Sequence, residues 1–119
     1  MRAIKFRGQR EDTKEWVYGD FIHYNEQFMI NVYETEFGCW AYQVPIIPET
    51  VGQFTGLPSQ DKEDIYEGDR LFDYDDDYYV VEFSEGRFVA VGDGFEVDLF
   101  EIADRCSIIG NIHDNKEIK

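Results

Sequence analysis

Short runs in which apolar side chains alternate with polar ones recur along almost the whole chain, each cut short by glycine, proline or an Asn/Asp-rich turn. No long segment carries the three-to-four spacing of an amphipathic helix. A chain with this pattern must build its core from the inward faces of short strands, so the fold class is mainly β with little helix. Aromatic residues make up 17% of the sequence, and their preference for half-buried pleated surface points the same way.

The strands can be placed individually. Ala3 to Arg7 alternates, and Gly8 to Lys14 is polar and turn-like. Trp16 to Ile22 and Phe28 to Tyr33 flank Asn25-Glu26, which makes residues 15 to 34 a hairpin. Cys39 to Val44 ends at Pro45, and with Pro48 following, this run belongs at a sheet edge, because proline has no N–H to donate. Thr50 to Leu57 fits either a strand or a helical turn, and Pro58 to Asp64 reads as a charged loop. Beyond it, Ile65 to Phe72, Tyr79 to Phe83 and Arg87 to Val91 form a meander whose turns are Ser84-Glu85-Gly86 and Gly92-Asp93-Gly94. Leu99 to Ala103 suits a short helix or a strand, and Cys106 to Ile112 a last strand. At 119 residues the chain has the size of one domain, with an N-terminal β-hairpin region over residues 1–57 and a C-terminal small SH3-like β-barrel over residues 58–119.

Charge narrows the function classes. Eleven lysines and arginines face twenty-six aspartates and glutamates, a net charge of −15. Direct binding of nucleic acid needs clustered cations, and the one modest group is Arg2, Lys5, Arg7 and Arg10. No stretch is apolar enough to span a bilayer as a helix, and the first residues lack a signal-peptide core, so a cytoplasmic location is expected. Cys39 and Cys106 are then expected to be reduced and buried.

Catalytic and cofactor patterns are absent from the sequence. There is no P-loop, GxSxG or dinucleotide fingerprint, no CxxC, and His23 and His113 stand at no metal-ligand spacing. The chemically richest stretch is Asp61 to Glu85, where eleven of twenty-five residues are acidic and two are basic, a local charge of −9. Within it Asp73-Tyr74-Asp75-Asp76-Asp77 begins like a calcium loop, yet position six is Tyr78 in place of glycine and position twelve is Ser84 in place of glutamate. If this segment were a strand, Asp73, Asp75 and Asp77 would share a face about 6.7 Å apart, twice as sparse as the roughly 3.4 Å phosphate rise of one DNA strand. Mimicry of DNA would therefore need a second acidic strand.

Four blocks, in order, carry a family resemblance: Met1 to Gly8; Thr50 to Leu57; Asp61-Lys62 with Ile65-Tyr66-Glu67-Gly68-Asp69; and Ile108 to Asn115. They resemble the YopX family in order and spacing and run from end to end of the chain. Pro58-Ser59-Gln60 and Glu63-Asp64 depart from the family pattern and make the central loop more acidic here, and Lys116 is a further departure. The resemblance implies a phage or prophage protein of undefined role and supplies no catalytic residues.

These readings converge on a noncatalytic phage or prophage accessory or regulatory protein that acts by protein contact, needs no cofactor or metal, and does not itself bind nucleic acid or membrane. An unidentified partner, host-encoded or a second copy of the chain, is expected at a surface made of Asp73, Tyr74, Asp75, Asp76, Asp77, Tyr78 and Tyr79, since tyrosine among charges suits an interface. The alternatives are an acidic DNA mimic that inhibits a host nucleic-acid-binding protein, and a divalent-cation-binding protein.

Overall fold

The computed structural model describes residues 4–34 and 40–114. Cys39, Arg2 and the first residues of the opening block lie outside them, as do Asn115 and Lys116. The chain is mainly β, and its contacts cluster into two units, Met1–Gln53 and Phe54–Lys119.

The first unit holds β1 (Phe6–Gln9), β2 (Trp16–Tyr24), β3 (Gln27–Glu34) and β4 (Trp40–Pro45), paired antiparallel in the order β4-β3-β2-β1. Strands β2 and β3 form the expected hairpin. Asn25 and Glu26 both have positive φ, +55° and +64°, as a two-residue primed turn demands, and this sets the register Tyr24 opposite Gln27 and Phe21 opposite Ile30. Residues opposite one another share a face, so Phe21, Ile30 and Val44 line up across three strands. Ile30, Val44 and Ile46 are buried, and the rings of Phe6 and Phe28 lie 5.6 and 6.2 Å from that of Phe21. Pro45 closes β4 at the sheet edge, where its missing N–H breaks no ladder.

A 3-10 turn, Pro48–Thr50, leads into β5 (Gly52–Pro58), which settles the ambiguous Thr50 to Leu57 segment as strand. The Thr50 hydroxyl accepts from the Gln9 amide at 2.9 Å and donates to the Ile47 carbonyl at 2.6 Å. Gly52 pairs with Arg7 of β1, and further along the same strand Phe54 and Pro58 pair with β6 (Asp64–Tyr66).

The second unit contains β7 (Asp69–Asp73), β8 (Tyr78–Ser84), β9 (Arg87–Val91), β10 (Glu96–Asp98), α1 (Leu99–Ile102) and, after a 3-10 turn at Ala103–Arg105, β11 (Cys106–Asn111). The expected run Ile65 to Phe72 is broken at Glu67-Gly68 into β6 and β7. Strands β7, β8 and β9 form the expected meander, β10 adds a strand the sequence did not mark, and β11 returns to the far side of β7, giving the order β10-β9-β8-β7-β11. The described ladders do not join β10 to β11, so closure into an SH3-like barrel is no part of the observed pairing. Asp98 caps α1 by accepting from the Phe100 amide at 3.1 Å. Leu99 and Ile102, three apart, then point into a core with Ile65, Leu71, Val81 and Ala90, while Phe100 is left 76% exposed.

Two substitutions test this packing. A Cβ on Gly19 would overlap the carbonyl oxygen of Asn31 on the neighbouring strand. Gly19→Ala should therefore destabilise the first unit by about 2 kcal/mol or more, read as a fall in the urea midpoint followed by fluorescence. Leu99→Ala should cost the second unit about 2–5 kcal/mol, read by loss of amide-exchange protection in β8 and β9.

Candidate functional site

The acidic, tyrosine-rich segment is a tight connection between β7 and β8. Phe72 pairs with Tyr78, and between them the chain reverses: the Asp73 amide donates to the Asp77 carbonyl at 2.9 Å, and the Asp76 amide to the Asp73 carbonyl at 2.9 Å, with Asp76 at φ +67°. Asp73 is 1% exposed. Its Oδ1 accepts from the Asp75 amide at 3.0 Å and its Oδ2 from Arg105 Nε at 3.1 Å. One buried carboxylate thus ties the turn to the segment entering β11. The Asp75 amide is the main influence holding the Asp73 carboxyl below its ordinary range, with Arg105 reinforcing it against the penalty of burial.

Two residues expected at the surface are interior. Asp73 is the clamp just described. Tyr79 is 5% exposed, opposite Leu71, with Phe95 edge-on to its ring at 5.9 Å; burial raises its phenol pKa, with Asp77 and Asp73 adding to the rise. Successive strand residues point to opposite faces, so burying Tyr79 turns Tyr78 outward. The exposed surface is therefore Tyr74, Asp75, Asp76, Asp77 and Tyr78, with Tyr74 at 73% and Tyr78 at 63% exposure. Phe72, 5.0 Å from the Tyr78 ring, gives that side chain a fixed neighbour.

The same geometry weighs against two earlier alternatives. Asp73 cannot join Asp75 and Asp77 around a cation while Arg105 and the Asp75 amide occupy its oxygens. Among the described residues no three His, Cys, Asp or Glu side chains are grouped to hold a metal. Residues 74–77 form a turn and Asp73 is buried, so Asp73, Asp75 and Asp77 do not make the acidic strand face that DNA mimicry would have had to pair with a second one.

Other chemistry-bearing side chains are placed as follows. Cys106 is fully buried opposite Asp73, and desolvation first, then the Asp73 charge, pushes its thiol up to about 11, the behaviour of a core thiol. His23, on β2, stacks on Phe28 at 4.1 Å, and His113 lies in the turn after β11, where its amide donates to Asn111 Oδ1 at 2.8 Å.

Two clefts had no signal in the sequence. In the second unit, a cleft of about 430 Å³ lies between the Ser59 to Lys62 loop and α1, with Leu57, Phe100 and Ala103 on its walls. Its loop is fixed by the buried Ser59 hydroxyl, which accepts from the Asp61 and Glu63 amides at 3.1 and 3.3 Å. Gln60 ties it to β11 through Ser107 Oγ at 2.6 Å. In the first unit a cleft of about 310 Å³ opens beside the end of β4.

Of the blocks singled out in the sequence, the first two build β1 and β5 and the last two close turns. Asp69 Oδ2 accepts from the Tyr66 amide at 2.8 Å across Glu67-Gly68, and Gly68, at φ +94°, donates its amide to Val81. Asn111 Oδ1 accepts from the amides of His113 and Asp114, closing the turn after β11. The sequence model of YopX protein matches residues 5–118. The chain belongs to the YopX family. A protein of known structure from Enterococcus faecalis, EF1440, is similar to this YopX chain with a TM-score of 0.60 and 19% identity, over 98% of each chain, a likeness of fold. No curated protein matches the sequence.

A pH titration tests the clamp. Because the folded pKa of Asp73 lies below its unfolded value, its contribution is fully present above about pH 4 and is lost as pH falls through the folded value. Asp73→Asn should lower stability at neutral pH by about 1–3 kcal/mol, and the gap from wild type in urea melts should close toward acid pH.

Proposed function

We propose that this YopX protein is a noncatalytic accessory or regulatory protein of a phage or prophage, working in the bacterial cytoplasm by contact with a host protein. Its contact surface is the turn Tyr74 to Tyr78. One observation carries the reading: two tyrosines at 73% and 63% exposure flank three exposed aspartates on a turn whose backbone is held by a buried carboxylate. A pre-ordered turn loses little conformational entropy on binding, and tyrosine brings large contact area with only two side-chain torsions. Exposed carboxylates at the rim speed encounter with a basic partner surface and make it salt-sensitive.

The fully buried Cys106 thiol and the engaged Asp73 carboxylate are both poor candidates for attack on a substrate, which supports a binding role over a catalytic one.

The test is capture from host lysate by wild type, by Tyr74→Ser/Tyr78→Ser and by Asp75→Asn/Asp76→Asn/Asp77→Asn, at low and high salt, with light scattering to detect self-association. Loss of the two tyrosines should weaken capture about tenfold or more, and the aspartate variant should flatten its salt dependence. Retention of every partner by the tyrosine variant would overturn the assignment. Competition by duplex DNA would revive mimicry, and self-association abolished by the tyrosine variant would make the partner a second copy.

A further inference from the structure

The cleft of about 310 Å³ in the first unit combines an apolar floor with carboxylates that have no partner among the described residues. Phe28, Pro45, Ile46 and Pro48 supply the floor, and Glu11 and Glu26 stand at its margin. Among the described residues, neither glutamate side chain takes part in an ion pair or hydrogen bond, although cations lie close in sequence. Arg10 is committed to Asp12 at 2.9 Å, and Lys14 Nζ donates to the Glu11 backbone carbonyl at 3.2 Å, leaving the Glu11 carboxylate uncompensated.

The frame around the cleft is fixed by backbone. The Glu11 amide donates to the Pro45 carbonyl at 3.1 Å and the Ile46 amide to the Phe28 carbonyl at 3.0 Å. Glu26 occupies the second position of the β2–β3 turn at φ +64°, a position that glycine would fill with less strain. Phe28 is itself held by the stacked rings of Phe21 and His23.

We infer that this cleft receives a single arginine or lysine side chain from a basic segment of a protein partner. Charge complementarity selects the occupant: two unpaired carboxylates on a chain of net charge −15 favour a cation, and an apolar floor favours one that carries a hydrocarbon stem. Size agrees, since the cleft is at the bottom of the range of about 300–1,000 Å³ used by small-molecule sites and suits one long side chain better than a cofactor. The stem lies on Phe28, Pro45 and Pro48, beneath which Ile46 is buried, and the head group lies toward Glu11 and Glu26. This site is independent of the Tyr74 to Tyr78 turn and belongs to the other unit.

The test is an amide-resolved NMR titration of the full chain with the capped tripeptide Gly-Arg-Gly, its Gly-Lys-Gly counterpart, and the uncharged Gly-citrulline-Gly control. Shifts centred on the amides of Glu11, Gln27 and Ile46 are expected, with a dissociation constant on the order of millimolar for one side chain. Glu11→Gln/Glu26→Gln and the citrulline control should each weaken binding about tenfold, while Asp75→Asn/Asp76→Asn/Asp77→Asn should leave it unchanged. Unchanged amide dispersion in each variant verifies that the fold is intact. Equal binding of the citrulline peptide, equal loss in the aspartate variant, or no shift at those three amides up to about 20 mM peptide would overturn the inference.

Discussion

The carboxylate of Asp73 organises the most exposed part of the second unit from within. Placed at the end of β7 with 1% exposure, it receives the Asp75 amide on one oxygen and the Arg105 guanidinium on the other. The first bond shapes the turn, and the second ties that turn to the start of β11, two connections far apart in sequence. A buried charge is tolerable only when its acceptor sites are filled. Two of them are filled here by groups that the fold needed to fix in any case, so the cost of burial is offset by order in the turn.

That arrangement changes the meaning of the acidic balance. The run Asp73 to Asp77 looks uniform as a string, yet its first carboxylate is a buried structural acceptor and the next three are solvated. Like charges crowded on one turn repel, and the backbone bonds from the Asp73 amide to Asp77 and from the Asp76 amide to Asp73 hold the turn closed against that repulsion. Tyr74 and Tyr78 stand exposed on either side of those solvated carboxylates, the arrangement on which the proposed contact surface rests.

Two of the YopX blocks share a physical basis. Asp69 closes the turn before β7 and Asn111 the one after β11, while Ser59, from the segment that departs from the family pattern, caps the loop containing Asp61-Lys62. In each, a short polar side chain satisfies backbone amides that would otherwise be left unpaired where the ladder ends. Such residues specify a fold rather than a chemistry, and the match to the YopX family runs over residues 5–118.

The sequence by itself determined most of the strands, their hairpin turns and the local concentration of charge, because alternation, turn residues and charge counts are properties of neighbours along the chain; it did not mark β10 or divide Ile65 to Phe72 into β6 and β7. It could not choose between strand and helical turn for Thr50 to Leu57; pairing of Gly52 with Arg7 made that choice. Nor could it phase Tyr78-Tyr79-Val80-Val81, where consecutive apolar residues suit either face. The register of Tyr79 opposite Leu71 buried one tyrosine and exposed the other. The burial of Asp73 depends on Arg105, thirty-two residues away, and the cleft floor joins Phe28 to Pro45 through a ladder. Contacts of that separation exist only once the strands have paired, so the tertiary structure alone decided which of the legible residues form a surface and which form the interior.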